Sequence, residues 1–265
     1  MKIKFLCLVL VFLCIFSGIS CNSHKYSLKC ESISYHGLTE LPLKEPDPVE
    51  IKNVIFPDLY EYFGHQCYVS LVNGQVVISD EDAFEKSHIL EGNYGYFVGV
   101  DIGEFGGYCQ YYKYGSIEPE VITEDNCFGL IKINNDMGYM ISGIPAHMSF
   151  AGESQVSKLI RDGDKDYWRT EVITEFSGSP GCYVYHEATN ALYVSTSSAL
   201  LKLDLNSGSV SELTIPEYWG YLFPNSMIIL ENKLLIGTVV GVFEYDLDNG
   251  RNSFYLMEYE KYLAD

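Results

Sequence analysis

The sequence predicts an all-β chain built from a repeated sheet unit, and three observations predict it. The first is a gapless internal match. Residues 190–208 lie over residues 232–250 at a shift of 42, with Leu192 on Leu234, Thr196 on Thr238, Asp204 on Asp246, Leu205 on Leu247 and Gly208 on Gly250. The second is composition: 22 Tyr, 14 Phe and 23 Gly among 265 residues favour strands joined by tight turns. The third is the brevity of the apolar runs, such as residues 192–194 and 234–236, which are too short to be helices.

Within each copy the elements follow from side-chain period and turn chemistry. Residues 199–205 and 241–247 set Lys202 or Glu244, then Asp204 or Asp246, between apolar neighbours, the period of two of a strand. Asn206-Ser207-Gly208 and Asp248-Asn249-Gly250 tolerate the positive φ of a tight turn. Residues 211–215 and 253–257 read as the following strand, and 226–230 leads into the second copy. A period near 42 holding about four short strands marks a β-propeller blade, since one such sheet cannot bury both faces alone. The pair resembles the generic repeat of bacterial β-propellers, in which a run like Leu192-Tyr-Val-Ser-Thr196 precedes one like Leu200-Leu-Lys-Leu-Asp204. The expected architecture is therefore a propeller of five to six four-stranded blades. An antiparallel β-sandwich with similar hairpins is the alternative. The resemblance says little about chemistry, because propellers host lyases, lactonases, sialidases and pure binders alike.

In chain order, residues 1–20 read as a signal peptide: Lys2 and Lys4, an apolar core over 5–16, then small Gly18 and Ser20. Cys21 with Asn22 and Ser23 resembles the lipobox of bacterial lipoproteins, which implies a lipid on Cys21 and contact with a membrane through it. Gly18 departs from that pattern, where a larger aliphatic residue is usual. Plain secretion and an uncleaved anchor are the rivals. Residues 21–48, polar and carrying Pro42, Pro46 and Pro48, read as a flexible tether, and 49–265 as the propeller-like domain. Loss of the leader removes two Lys and no acid, so the net charge moves from −19 to −21. A phosphate backbone is repelled by such a surface, and nucleic acid is excluded as a partner.

Residues 66–72 and 75–79 flank Asn73-Gly74, a hairpin signal. Residues 80–86 make a helical turn or a loop. Residues 95–100 form a strand, followed by a Gly-rich loop over 101–107 that reads as tight around a buried Phe105, then a strand over 108–114. Strands over 127–131, 139–142 and 155–160 follow. Asp162, Asp164 and Asp166 faintly resemble a calcium loop but lack its distal Glu, and read better as a hairpin tip. The blade-like units are 49–85, 86–126, 127–176, 177–218 and 219–259, the first short enough to share closure of the ring with the C-terminal strands. Cys30, Cys67, Cys109, Cys127 and Cys182 show no Cys-x-x-Cys pair, so no metal and no cofactor is expected. Cys109 and Cys127 can close a loop in an oxidising compartment, or serve as small buried apolar residues.

The propeller resemblance implies a ligand face built by the loops after each second strand and by the links between blades. Those loops hold Asp101, Glu104, His147, Ser197 and Ser198, and the links hold Glu124, Asp125, Ser179, Tyr218, Trp219 and Asn225. The binding candidates are Asp101, Glu104 and His147, with Trp219 as an aromatic shelf and Asn225 beside it. Each has a structural alternative: His147 as a hydrogen-bonded core His, Glu104 tied to its own Gly loop, Trp219 plugging the gap between blades. Catalytic signatures such as His-Glu-x-x-His and Gly-x-Ser-x-Gly do not occur. Recurrence of Asp204 and Asp246 marks them as structural. The expected function is an exported, non-catalytic binding or interaction module of the cell envelope, for a carbohydrate, a peptide or an envelope protein. The alternative is a hydrolase or lyase acting on a sugar or lactone through Asp101, Glu104 and His147.

Overall fold

The computed structural model describes residues 38–41, 67–72, 75–79, 89–144, 152–163, 167–239 and 241–257. Strand β1 (Leu38–Leu41) comes first in the chain and is placed below. Blade 1 holds β2 (Tyr68–Val72) and β3 (Gln75–Ser79), and blade 2 holds β4 (Ile89–Glu91), β5 (Gly95–Asp101), β6 (Gly107–Lys113) and β7 (Glu120–Thr123). Blade 3 is β8 (Asn126–Lys132), β9 (Met137–Gly143), β10 (Glu153–Asp162) and β11 (Tyr167–Ser177). Blade 4 is β12 (Pro180–His186), β13 (Ala191–Thr196), β14 (Leu200–Asp204) and β15 (Val210–Leu213). Blade 5 is β16 (Ser226–Leu230), β17 (Lys233–Gly237), β18 (Gly241–Asp246) and β19 (Asn252–Met257). Each sheet is antiparallel with strands consecutive in the chain adjacent, β1 excepted, and five sheets are present among the described residues.

Burial explains why the strands read as continuous apolar runs. All six residues of β13 are buried. Leu192 and Val194 join a core with Phe128, Tyr139 and Ile141 of blade 3, whereas Ala191 and Tyr193 join one with Leu234, Ile236 and Phe243 of blade 5. Successive side chains therefore feed two different cores. The same alternation sends Met140 toward Phe97, Cys109 and Tyr111 of blade 2, and Leu235 with Val242 toward Val69 and Ile78 of blade 1. A sandwich would leave one face of each sheet solvated; here the middle sheets are covered on both. The order of packing is 2, 3, 4, 5, then 1, so the last blade packs on the first. The fold is an all-β propeller.

The 42-residue repeat holds bond by bond. Asp204 Oδ1 accepts the N–H groups of Asn206 and Ser207, and Asp246 Oδ1 those of Asp248 and Asn249. Gly208 and Gly250 take φ 73° and 71° and donate to Asp204 O and Asp246 O. Thr196 Oγ1 donates to Ala199 O, and Thr238 Oγ1 to Gly241 O. These N–H bonds hold the Asp204 and Asp246 carboxyls below the usual carboxylate range.

Two regions differ from expectation in an instructive way. Residues 38–41, inside the stretch read as a tether, form β1 and pair with β19, Leu38 opposite Met257 and Leu41 opposite Phe254. This fifth strand satisfies the outer edge of blade 5, which would otherwise present unpaired backbone groups. Blade 1 contacts blade 5 through its face, with Cys67 N–H donating to Thr238 O at 2.9 Å. The hairpin reading at Asn73-Gly74 agrees with the register, Val72 opposite Gln75. Asp162 pairs with Tyr167 at the end of the β10–β11 ladder, and Asp164 and Asp166 lie outside the described residues.

Candidate functional site

Each first strand starts at the end where the chain enters its blade, so the loops after second strands and the links between blades gather at one end of the molecule. Hydrogen bonds stitch this loop end from blade to blade. Asn126 Nδ2 donates to Gly103 O (2.8 Å), Ser179 Oγ to Ile144 O (3.3 Å) and Trp219 Nε1 to Thr196 O (2.9 Å). Val239 N–H donates to Leu222 O at 3.1 Å.

Asp101 ends β5, exposed, and its Oδ1 accepts Gly103 N–H at 2.9 Å, fixing the short turn over Gly103–Phe105. Glu104 lies in that turn by its backbone; its side chain and the whole of His147 fall outside the described residues. Phe105 is not buried but 81% exposed. Gly103 and Gly106, at φ 63° and 92°, have nothing within 4 Å of an added Cβ, so that side of the turn is open and its apex ring meets solvent, while Asn126 of β8 holds Gly103 O.

Trp219 is not an exposed shelf. It is 1% exposed, packs edge-on to Phe243 at 5.1 Å between ring centroids and spends its indole N–H on Thr196. It fills the seam between blades 4 and 5. Asn225, half-buried, accepts from Ser226 Oγ (2.9 Å), and that hydroxyl in turn accepts Val69 N–H (2.8 Å). Asn225 thus helps aim a hydroxyl that joins blades 5 and 1. Tyr218 is buried, and desolvation pushes its hydroxyl up to about 12. Ser197, Ser198 and Glu124 are exposed on loops of this end.

A cavity of about 360 Å³ opens at the loop end of blade 3. Asp125, Glu153 and Glu175 supply carboxylates, Ser154, Gln155 and Ser177 supply neutral polar groups, and Ile144 and Phe176 supply apolar surface. Register explains the patch. Glu153 faces Ser177 and Gln155 faces Glu175 across the β10–β11 ladder. Directly paired residues share a face, and 153 and 155 share it with each other. Thr123 Oγ1 donates to Asp125 Oδ2 at 3.2 Å and accepts Asp125 N–H at 3.1 Å, holding that carboxylate at the rim. Ser154 Oγ donates to Gly178 O, which fixes the wall. No Lys or Arg among the described residues lines the cavity. Among the described residues no group of three His, Cys, Asp or Glu is placed to hold a metal ion. The spread of negative charge suits an extended cation such as a Lys or Arg side chain, with Ile144, 61% exposed, beside it to take apolar contact.

Only Asp125 of these liners was singled out from sequence. Glu153 and Glu175 sit 22 positions apart, and the signal that joins them is the β10–β11 pairing. The acidic run at 162–166 marked the hairpin tip, but β11 itself carries too little alternation to declare itself, with exposed residues over 169–172.

No protein-family description matches the chain, and no curated protein matches it. Solved structures that match include a nidogen/laminin complex, at 9% identity and TM-score 0.37, covering 74% of this chain and 94% of that one. Another is the extracellular domain of a hybrid two-component system of B. thetaiotaomicron, at 12% identity and TM-score 0.31. That alignment covers 71% of this chain and 29% of the other.

Proposed function

We propose that this chain is an exported, non-catalytic binding module that grips a basic segment of a peptide or envelope protein at the loop end of blade 3. The observation that carries this reading is the cavity lined by Asp125, Glu153 and Glu175, with no Lys or Arg among its described lining residues and apolar Ile144 and Phe176 beside the charges. Its volume lies within the range of ligand pockets. The net charge of −19 draws a basic partner toward the whole surface, and the cavity gives the encounter a specific end point. Export follows from the leader over 1–20, and a lipid on Cys21 would hold domain 49–265 at a membrane through the residues between.

Binding is tested with fluorescent peptides that carry Lys or Arg flanked by Leu or Phe, against charge-reversed controls, by anisotropy at two salt concentrations. Basic peptides should bind, more weakly as salt rises. Equal affinity for acidic and basic peptides would remove this reading, and turnover of sugar or lactone substrates would replace it with the hydrolase or lyase alternative. Mass spectrometry of the mature N-terminus tests the anchor: acylated Cys21 supports it, and an unmodified terminus refutes it.

A further inference from the structure

Cys109 and Cys127 stand on different blades, on β6 and β8, and both are fully buried in the core between blades 2 and 3. Gly99 explains how they meet. It pairs directly with Cys109 across the β5–β6 ladder. A Cβ built on it would fall within 2.4 Å of Cys127 Sγ. Directly paired residues direct their side chains to one face. The missing side chain at Gly99 therefore leaves a slot that Cys127 enters from blade 3 beside Cys109 of blade 2. Cys109 and Cys127 lie in the same buried cluster, and the Cys127 Sγ also reaches Gly129 O at 3.8 Å.

We propose that Cys109 and Cys127 are an oxidisable pair whose disulfide cross-links blades 2 and 3. Two S–H bonds break and one S–S bond forms. The two protons and two electrons pass to a disulfide oxidant, which leaves as two thiols. Exchange needs a thiolate and access to it. In the folded chain the Cys109 thiol and burial keep the Cys127 thiol protonated, and neither sulfur meets solvent. The bond therefore forms as the two sheets dock during folding, and the folded, reduced protein resists oxidants. Closure in the cell rests on the export reading above, whereas closure in the test tube rests on geometry alone.

The experiment refolds the full chain from the reduced, unfolded state with either oxidised glutathione or dithiothreitol. Free thiols are then alkylated under denaturing conditions and mapped by mass spectrometry. The expected result is a peptide pair joining Cys109 to Cys127 after oxidised refolding only. The cross-link should raise the melting temperature by roughly 6–12 °C, given a loop of about 18 residues. Full alkylation of both cysteines in oxidised, natively folded protein overturns the proposal, as does a bond to Cys67 or Cys182 in its place. Gly99→Ala fills the slot and should lower the yield of the pair. A pair that closes in vitro but is trapped as thiols in freshly lysed cells supports the geometry and overturns the export reading.

Discussion

Blades 4 and 5 keep one plan, while blade 3 departs from it. In the former, a Thr hydroxyl closes the loop after the second strand and an Asp carboxylate closes the turn after the third, at matching positions. Blade 3 instead extends β10 and β11 to 10 and 11 residues and spreads its loop end around a cavity. The difference teaches that regularity persists where a sheet only has to stack between neighbours. The recess sits where β10 starts and β11 ends, at the loop end of the two longest strands.

Four tests bear on that contrast. The largest effect is expected on the regular side: Trp219→Ala should cost about 3–5 kcal/mol in denaturant unfolding, because it empties the seam between blades 4 and 5. A loss below about 1 kcal/mol would mean that the ring does not hold the seam between blades 4 and 5. On the irregular side, the double change Glu153→Gln and Glu175→Gln should weaken basic-peptide binding about tenfold while shifting stability by less than about 0.5 kcal/mol. Unchanged affinity would move the partner's site away from the cavity.

Tyr218→Phe sharpens the comparison from inside the regular seam. The Tyr218 hydroxyl is buried without a hydrogen-bond partner among the described residues, so its removal should raise stability, by up to about 1 kcal/mol. Its pKa is raised by burial to about 12. The stability linked to the neutral hydroxyl is thus complete below the unfolded value near 10 and fades as pH climbs toward 12. Thermal scans across that window should show a shallower alkaline decline for the variant. The smallest effects belong to Asp204→Asn and Asp246→Asn. Both carboxyls are lowered by N–H bonds within their turns. Their contribution is present above the unfolded carboxylate pKa and disappears as pH falls through the folded one. The two variants should lose the same slight increment of melting temperature near neutrality and converge on the parent in acid. Unequal losses would mean that the two turns are not equivalent.

Much of the scaffold was legible because two faces of each middle blade are buried, which writes apolar runs such as Leu192-Tyr-Val194 into the sequence. Turns that need positive φ wrote Gly208 and Gly250. Strand β1 was hidden in a Pro-bearing segment, since four residues on an outer edge need no apolar run. Phe105 misled, because an aromatic ring between glycines reads as core when it crowns an exposed turn. Trp219 misled in the other direction, its burial depending on a seam that only the packed blades create. The carboxylates of the cavity were hidden for the same reason: Glu153 and Glu175 become neighbours only through pairing across a hairpin.

The pairing of Leu38 with Met257 has a practical corollary. Strand β19 runs toward the loop end, and β1 runs away from it, so Leu38 and Met257 both lie at the end that carries the cavity. A fusion or sensor surface joined directly at Leu38 or Met257 would therefore start from the same end as that opening. Coupling chemistry aimed at the opposite rim, for instance at Asn249 or Ser207 changed to Cys, would leave it clear.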